Sequence, residues 1–358
     1  MITLASVINL FEADFSRDYQ GRLRSNQISA LHAMKCCRTV HSPVMQVKCI
    51  DCDYQTFVPH SCGHRNCPHC QHYESQHWIE QQVQRQVPAD YFMNTFTLPA
   101  QLRALARQHP RLLYSMMFDC AWATLQSFSN NDKQLQGAPG AIAVLHTHSR
   151  ELNYHPHVHV IMPAAIVDKT NKVWRTKQGK YLFNHNALAK VFRAKMLARL
   201  NEEKLAFPAK IPKKWVVDCK FVGAGDKALI YLGRYLYRGV IREKDILSCQ
   251  DGKVTYRYQD SKTKGYKTKT VSGAKFLWLV LQHVLPKGFR RARNFGFLHP
   301  NSKGVIKLIQ LLLKFDPAKV MQALKPRPQF KCKCCGGAMS VGRRRIPRVE
   351  IIFQPVPI

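Results

Sequence analysis

Acidic side chains are scarce in this 358-residue chain: 22 Asp and Glu face 55 Lys and Arg, leaving a formal charge of +33. Such a surplus argues against a small neutral metabolite as the main ligand. It favours a polyanion, because each Lys or Arg that meets a phosphate releases a condensed counterion. Long apolar runs are also missing. The best stretches, residues 276–285 and 305–315, are short of the roughly 18 apolar residues that a spanning helix needs. Glu12 and Asp14 stand where a secretory signal would be basic and then apolar. There is no internal repeat and no low-complexity tract. With 46% hydrophobic residues the chain is no disordered basic tail. These absences lead to the expectation of a soluble, cytoplasmic, nucleoid-associated protein of two or three domains, with no membrane partner.

The charge is uneven. Residues 1–90 hold 8 basic and 8 acidic side chains, 91–200 hold 14 and 4, and 201–358 hold 33 and 10. The neutral N-terminal part is also where the cysteines gather. Of 13 in the chain, five lie between Cys49 and Cys70. Clustered cysteines in a reducing compartment suggest metal rather than disulfides. Cys49-x-x-Cys52 and Cys67-x-x-Cys70 have the spacing of two knuckles of a four-thiolate site, so one structural zinc is expected on Cys49, Cys52, Cys67 and Cys70. Cys36, Cys37, Cys62, His60 and His64 leave a second site open. The tail trio Cys332, Cys334 and Cys335, followed by two glycines, reads as half a knuckle and is expected to be free thiol.

Periodicity predicts amphipathic helices within 1–35, over 71–87 and 101–128, near 186–200 and at 226–237. Strands are expected at YFMNTFTLP, AIAVLHTH, HVHVIM and 215–222, and a basic hairpin at VTYRYQD and YKTKTVS. Two more helices follow. The irregular alternation indicates an α+β fold rather than a doubly wound sheet. The expected division is a helical, zinc-binding module over 1–90, a central domain over 91–245 and a basic C-terminal region over 246–358.

In HPHVHV, His157 and His159 are two apart on a strand and point to one side, while Val158 and Val160 face the other way. Two adjacent imidazoles suit a metal better than a core. If AIAVLHTH pairs with this strand as a hairpin, His146 or His148 comes across from the pair and completes a triad. In YLGRYLY, Tyr231 and Tyr235 are four apart and share a helix face, and Arg234 and Arg238 form a second such pair. Tyr237 falls elsewhere. Histidines for a divalent cation, tyrosines to attack and arginines for phosphate are the parts of a metal-assisted phosphoryl transferase with a covalent tyrosine intermediate.

CRT at 37–39, SCGHRNCPHCQ at 61–71, FTLP at 96–99, VLHT at 144–147, NYHPHVHV at 153–160, YLGRY at 231–235 and HVLPKGFRRARNFGFL at 283–298 together resemble one family. It is the rolling-circle insertion-sequence transposases of the HUH (His-hydrophobic-His) two-tyrosine class, the insertion-sequence-ninety-one family, with an N-terminal zinc-binding domain. The similarity runs from about residue 5 to about residue 315 and departs from the family pattern at VMQ (44–46), where a Gly-Gly-His is usual, and at His148, where a Trp is frequent. The resemblance implies an antiparallel-sheet nuclease domain with a tyrosine-bearing helix. It implies His157 and His159 as ligands of Mg²⁺ or Mn²⁺ with a third ligand from another element, for which His146 is the choice and Asn153 and Glu151 are the fallbacks. It also implies Tyr231 and Tyr235 as nucleophiles and a 5′-phosphotyrosine intermediate. The partners it implies are single-stranded element ends and target DNA. Arg234 and Arg238 are expected on the DNA backbone, and Tyr256, Tyr258 and Tyr266 as stacking surfaces or as cross-strand packing. A replication initiator or relaxase with the same nuclease centre, or a non-catalytic zinc-dependent DNA-binding protein, are the competing readings.

Overall fold

The computed structural model describes residues 2–168, 171, 173–236, 239–260, 263–322, 324 and 329–347. Tyr237 and Arg238 therefore lie outside the described residues. Two helices open the chain, α1 (Leu4–Tyr19) and α2 (Ser25–Cys36), where the sequence suggested one helical stretch. A hairpin, β1 (Val44–Cys49) and β2 (Gln55–Pro59), fills the cysteine region. Then come α3 (His72–Val83), β3 (Tyr91–Thr97), α4 (Arg103–Gln108) and α5 (Pro110–Asn131); Pro110 starts α5 because its missing N–H is no loss in a first turn. The long hairpin β4 (Ala138–His148) and β5 (Tyr154–Pro163) is followed by β6 (Ala165–Asp168), β7 (Val173–Thr176), α6 (His185–Glu202) and β8 (Val217–Phe221).

The chain continues through α7 (Asp226–Leu236), β9 (Ile246–Gln250), β10 (Lys253–Gln259), β11 (Tyr266–Ser272) and α8 (Gly273–Leu281). It ends with β12 (Ala292–Gly296), α9 (Lys303–Leu312), α10 (Pro317–Gln322) and β13 (Met339–Val341). The fold is α+β, and among the described residues every strand pairing is antiparallel. Among the described residues no helix is long and apolar enough to cross a membrane.

The large sheet runs β7-β6-β4-β5-β3-β8, with β12 on β4. Alternation along β5 sorts its side chains. Val158, Val160 and Met162 enter a core shared with α4, α5 and α6, through Leu105, Phe118 and Phe192 among others. Ile161, like Ile142 and Val144 of β4, belongs to the opposite core, built with α3 and α7 through Trp78, Ile79, Leu229 and Leu232. His157 and His159 share the parity of Ile161, and His146 that of Val144, so all three histidines emerge on the α7 side.

A third core joins α1 and α2 (Ile8, Phe11, Phe15, Leu31) to α8 and the small sheet β9–β11 (Phe276, Leu277, Val254, Tyr256), and it includes Cys67 and Cys70. Pairing of β1 with β13 adds a second link between the chain's two ends. Packing of α1 and α2 on α8 and β9–β11, and pairing of β1 with β13, thus cross the expected boundaries at 90 and 245. Sequence periodicity carries no information about which distant face an amphipathic helix covers.

Candidate metal and nucleophile centre

The β4–β5 register sets His146 directly opposite His157 and Val144 opposite His159. One nitrogen from each of His146, His157 and His159 falls within a mutual 4.8 Å. The ring centroids are 5.2, 4.4 and 4.9 Å apart for the pairs 146–157, 146–159 and 157–159. Nδ1 of His157 donates to the carbonyl of His155 at 2.7 Å, and Nδ1 of His159 meets Thr95 Oγ1 at 2.9 Å across the β3–β5 ladder. Both contacts fix a ring and leave its Nε2 for a ligand, the usual arrangement behind a metal-binding imidazole. Nε2 of His146 is buried without a hydrogen-bond partner. Burial pushes the His146 pKa well below the usual imidazole value, and takes His157 to about 3 and His159 to about 4. All three are neutral at pH 7, the form that can donate a lone pair. An orphaned nitrogen beside two pre-oriented ones fits a divalent cation. The alternatives Asn153 and Glu151 are not in this group; they bond each other, Asn153 Nδ2 to Glu151 Oε2 at 3.2 Å.

Helix α7 brings the tyrosines to this point. Tyr235 stacks on His146, centroids 3.8 Å apart at 25°, and on His148 at 5.1 Å and 11°. Its hydroxyl is 2.7 Å from His148 Nε2. Tyr231, one turn earlier, is 51% exposed with its ring 6.1 Å from that of Tyr235. Both rings line a cavity of about 320 Å³ together with the three histidines. An adjoining cavity of about 290 Å³ reaches the small sheet and is lined by Arg150, Arg242, Arg257, Tyr258 and Tyr266. Arg234 is exposed and lines neither cavity; among the described residues the arginines lining the second cavity come from other elements. Tyr266 is exposed and lies under the Arg257 guanidinium at 5.2 Å. Tyr256 is buried and donates to the Glu151 carbonyl at 3.2 Å; it is a core residue, and the expectation of a stacking surface there is corrected.

Three contacts hold α7 in place. Gly233, between the two tyrosines, lies so close to α3 that a Cβ there would overlap Ile79 and sit 2.9 Å from Trp78. Ser75 Oγ donates to the Gly233 carbonyl at 3.0 Å. Arg291 donates from Nε to Leu145 O at 3.0 Å and from Nη1 to Leu236 O at 2.8 Å, tying β4 to the C-terminal end of the helix, where a cation also suits the helix dipole. Gly233, Arg291, Thr95 and His148 were not singled out for these roles from sequence, because each acts through a partner far along the chain.

The cysteines sort differently from the expected set. Cys67 and Cys70 meet Cys37 and Cys62, while Cys49 and Cys52 meet Cys332 and Cys335, each group within a mutual 4.8 Å. The reason is the β1–β2 hairpin. Cys49 and Cys52 are at its tip, and β2 then runs back over five residues, about 16 Å, before Cys62. One ion cannot span that distance with Zn–S bonds of about 2.3 Å. Cys36, His60 and His64 join neither group; Cys332 and Cys335, expected to stand as free thiols, lie beside Cys49 and Cys52, and Cys334 is exposed and apart. In the first group Cys37 Sγ is 3.3 Å from Cys70 Sγ and 3.5 Å from Cys67 Sγ. The contact with Cys37 is the largest influence on both, pulling the Cys70 thiol down and pushing the Cys67 thiol up. This group buttresses the tyrosine helix: a Cβ on Gly239, just beyond α7, would stand 3.0 Å from Pro68 Cα, and His69 Nε2 bonds Glu243 at 2.6 Å.

A histidine trio on a sheet thus stands against paired tyrosines on the helix above it, on an α+β scaffold that also gathers two four-cysteine groups. Known proteins give the family. A model described as "Transposase zinc-binding domain" matches residues 7–98, and one described as "Putative transposase" matches residues 140–304. "Putative transposase y4qJ" of Sinorhizobium fredii is 30% identical over 316 residues, covering 80% of this chain and 79% of that one. "Transposase for insertion sequence element IS801" of Pseudomonas savastanoi pv. phaseolicola is 27% identical over 355 residues, with coverage of 89% and 84%. Among solved structures, the conjugative relaxase TrwC in complex with mutant oriT DNA aligns over 62% of this chain and 74% of its own, at 13% identity and a TM-score of 0.27. The chain belongs to the insertion-sequence-ninety-one transposase family with an N-terminal zinc-binding domain.

Proposed function

We propose that this transposase is a metal-dependent nuclease of the HUH class that cuts and rejoins single-stranded DNA at element ends, with Tyr235 and Tyr231 as nucleophiles. The observation that carries the reading is the stacking of Tyr235 on His146, which puts a hydroxyl-bearing ring against the three neutral imidazoles. His146, His157 and His159 would hold Mg²⁺ or Mn²⁺, which supplies charge to offset the non-bridging oxygens of the scissile phosphate. The Tyr235 oxygen forms a bond to phosphorus as the bond to the 3′-oxygen breaks. The 5′ end stays on the tyrosine and the leaving strand gains a 3′-hydroxyl. Attack by a 3′-hydroxyl reverses the step, so rejoining needs no nucleotide cofactor. Tyr231, exposed one turn away, is free to take a second strand, as successive transfers require.

Arg150, Arg242 and Arg257 beside the tyrosines are suited to the DNA backbone, and Tyr258 and Tyr266 to its bases. The group Cys37, Cys62, Cys67 and Cys70 holds a structural zinc: four ligands leave no open position for chemistry. The reading is tested with labelled single strands carrying an element end. Nicking is expected with Mg²⁺ or Mn²⁺ and to vanish with chelator, while DNA binding persists. Equal nicking with and without chelator would overturn the assigned role of the histidines.

A further inference from the structure

The zinc-binding match ends at residue 98, yet half of a second four-cysteine group lies beyond residue 330. Cys49 Sγ is 3.5 Å from Cys335 Sγ and Cys52 Sγ is 3.7 Å from Cys332 Sγ. The edge of a tetrahedron with metal–sulfur bonds of about 2.3 Å is about 3.8 Å, so these are metal-sharing separations and not disulfide ones. Each half is a knuckle of the same design. The Asp51 N–H donates to Cys49 Sγ at 3.4 Å, and the Cys334 N–H to Cys332 Sγ at 3.3 Å, both from residue i+2. Bonds of that kind favour the thiolate over the thiol. The two glycines after the second knuckle are there for different reasons. Gly336 adopts φ +74°, and Gly337 lies where a Cβ would run into Asp51 and come within 3.2 Å of Cys335 Sγ.

The scaffold around these thiols is poor in apolar contacts. The sheet β13-β1-β2 buries Val44, Val47 and Ile346, and none of them belongs to any of the three cores. A unit with so little core gains its folding free energy from metal binding. Its tail half carries Lys331, Lys333, Arg343, Arg344 and Arg345 and no acidic residue over 329–347. Without a fastening, that charge would detach easily.

We propose that Cys49, Cys52, Cys332 and Cys335 bind a second zinc ion, closing a split zinc ribbon whose two knuckles come from opposite ends of the chain. The metal clamps the basic tail onto the N-terminal module. This inference rests on the thiol geometry and is independent of the nuclease reading.

The test is metal content of the full chain by native mass spectrometry, with cobalt substitution as a second readout. Wild type is expected to hold two zinc ions, and Cys332→Ser with Cys335→Ser to hold one. The same double variant is expected to halve the cobalt–thiolate charge-transfer absorbance and to expose 331–345 to trypsin. Its metal-dependent nicking should remain measurable, which separates this claim from the catalytic one. One zinc in wild type, or two in the tail variant, would overturn the proposal. Should the double variant fail to fold, Cys335→Ala alone decides: an unchanged cobalt absorbance contradicts the clamp.

Discussion

Gly233→Ala tests whether the tyrosine helix is held by close packing. In an ordinary helix interior this change stabilises by about 1 kcal/mol, because alanine is the better helix former. Here the added methyl would overlap Ile79 Cγ1 and stand 2.9 Å from both Ile79 Cδ1 and Trp78 Cε3. Overpacking of that kind costs about 1–3 kcal/mol, so the net expectation is a loss of up to about 2 kcal/mol. For a chain this large the melting temperature then drops by a few degrees. The catalytic effect should exceed the stability effect. Relief of the overlap pushes α7 away from α3, and with it Tyr235 away from His146. Displacement of a reacting group by about 1 Å can cost roughly 10²-fold in rate. Single-turnover nicking is therefore expected to fall 10- to 100-fold, as an estimate on that scale, with DNA affinity little changed. Ile79→Ala on the same background makes room for the methyl and should recover part of the rate. A Gly233→Ala protein that is more stable than wild type and nicks at the wild-type rate would refute the reasoning.

Other perturbations follow from the same geometry. His157→Ala and His159→Ala should each abolish nicking in a gel assay while filter binding of DNA stays near wild type, since affinity comes mostly from dispersed positive charge. Cys67→Ser should release one zinc by native mass spectrometry and loosen α3 and the Gly239 turn, seen as faster amide exchange there. His283 is buried, bonds Leu152 O at 3.0 Å and has its pKa lowered to about 4. Its folded value lies below the unfolded one, so the unfolded chain binds the extra proton between. Stability should hold above pH 6.5 and decline toward pH 4, by on the order of 3 kcal/mol from this group, and His283→Gln should flatten that slope in urea titrations.

Local features were legible in the sequence. Strand periodicity around His157 and His159, the hairpin that brings His146 across, and the helical spacing of Tyr231 and Tyr235 all follow from periods of 2 and 3.6 residues. Pairings over long separations were not. The grouping of Cys49 with Cys335 depends on a hairpin that carries one knuckle away from the next, and Cys-x-x-Cys spacing alone cannot say which pairs combine. The knuckle in CKCC was visible as Cys332-x-x-Cys335, but its partner lies 280 residues away in sequence. Tyr256 and Tyr258 are two apart on β10 and both border the second cavity, and only the packing of Tyr256 on Phe276 of α8 makes the first a core residue. Arg150, Arg242 and Arg257 resemble any other basic residue in a chain of charge +33 until the fold gathers them.

The central claim is covalent catalysis by two tyrosines on one helix face. It is tested most directly by trapping the protein–DNA adduct on a labelled single strand and mapping the modified peptide by mass spectrometry. Phe keeps the ring and removes only the hydroxyl, so helix packing should survive the substitution. The account predicts the adduct on Tyr235 or Tyr231, and complete loss of adduct in Tyr231→Phe with Tyr235→Phe while DNA binding persists. Tyr237→Phe should leave adduct formation intact. An adduct on Tyr237 or on any residue outside 231–237, or one that survives in the double variant, would contradict it.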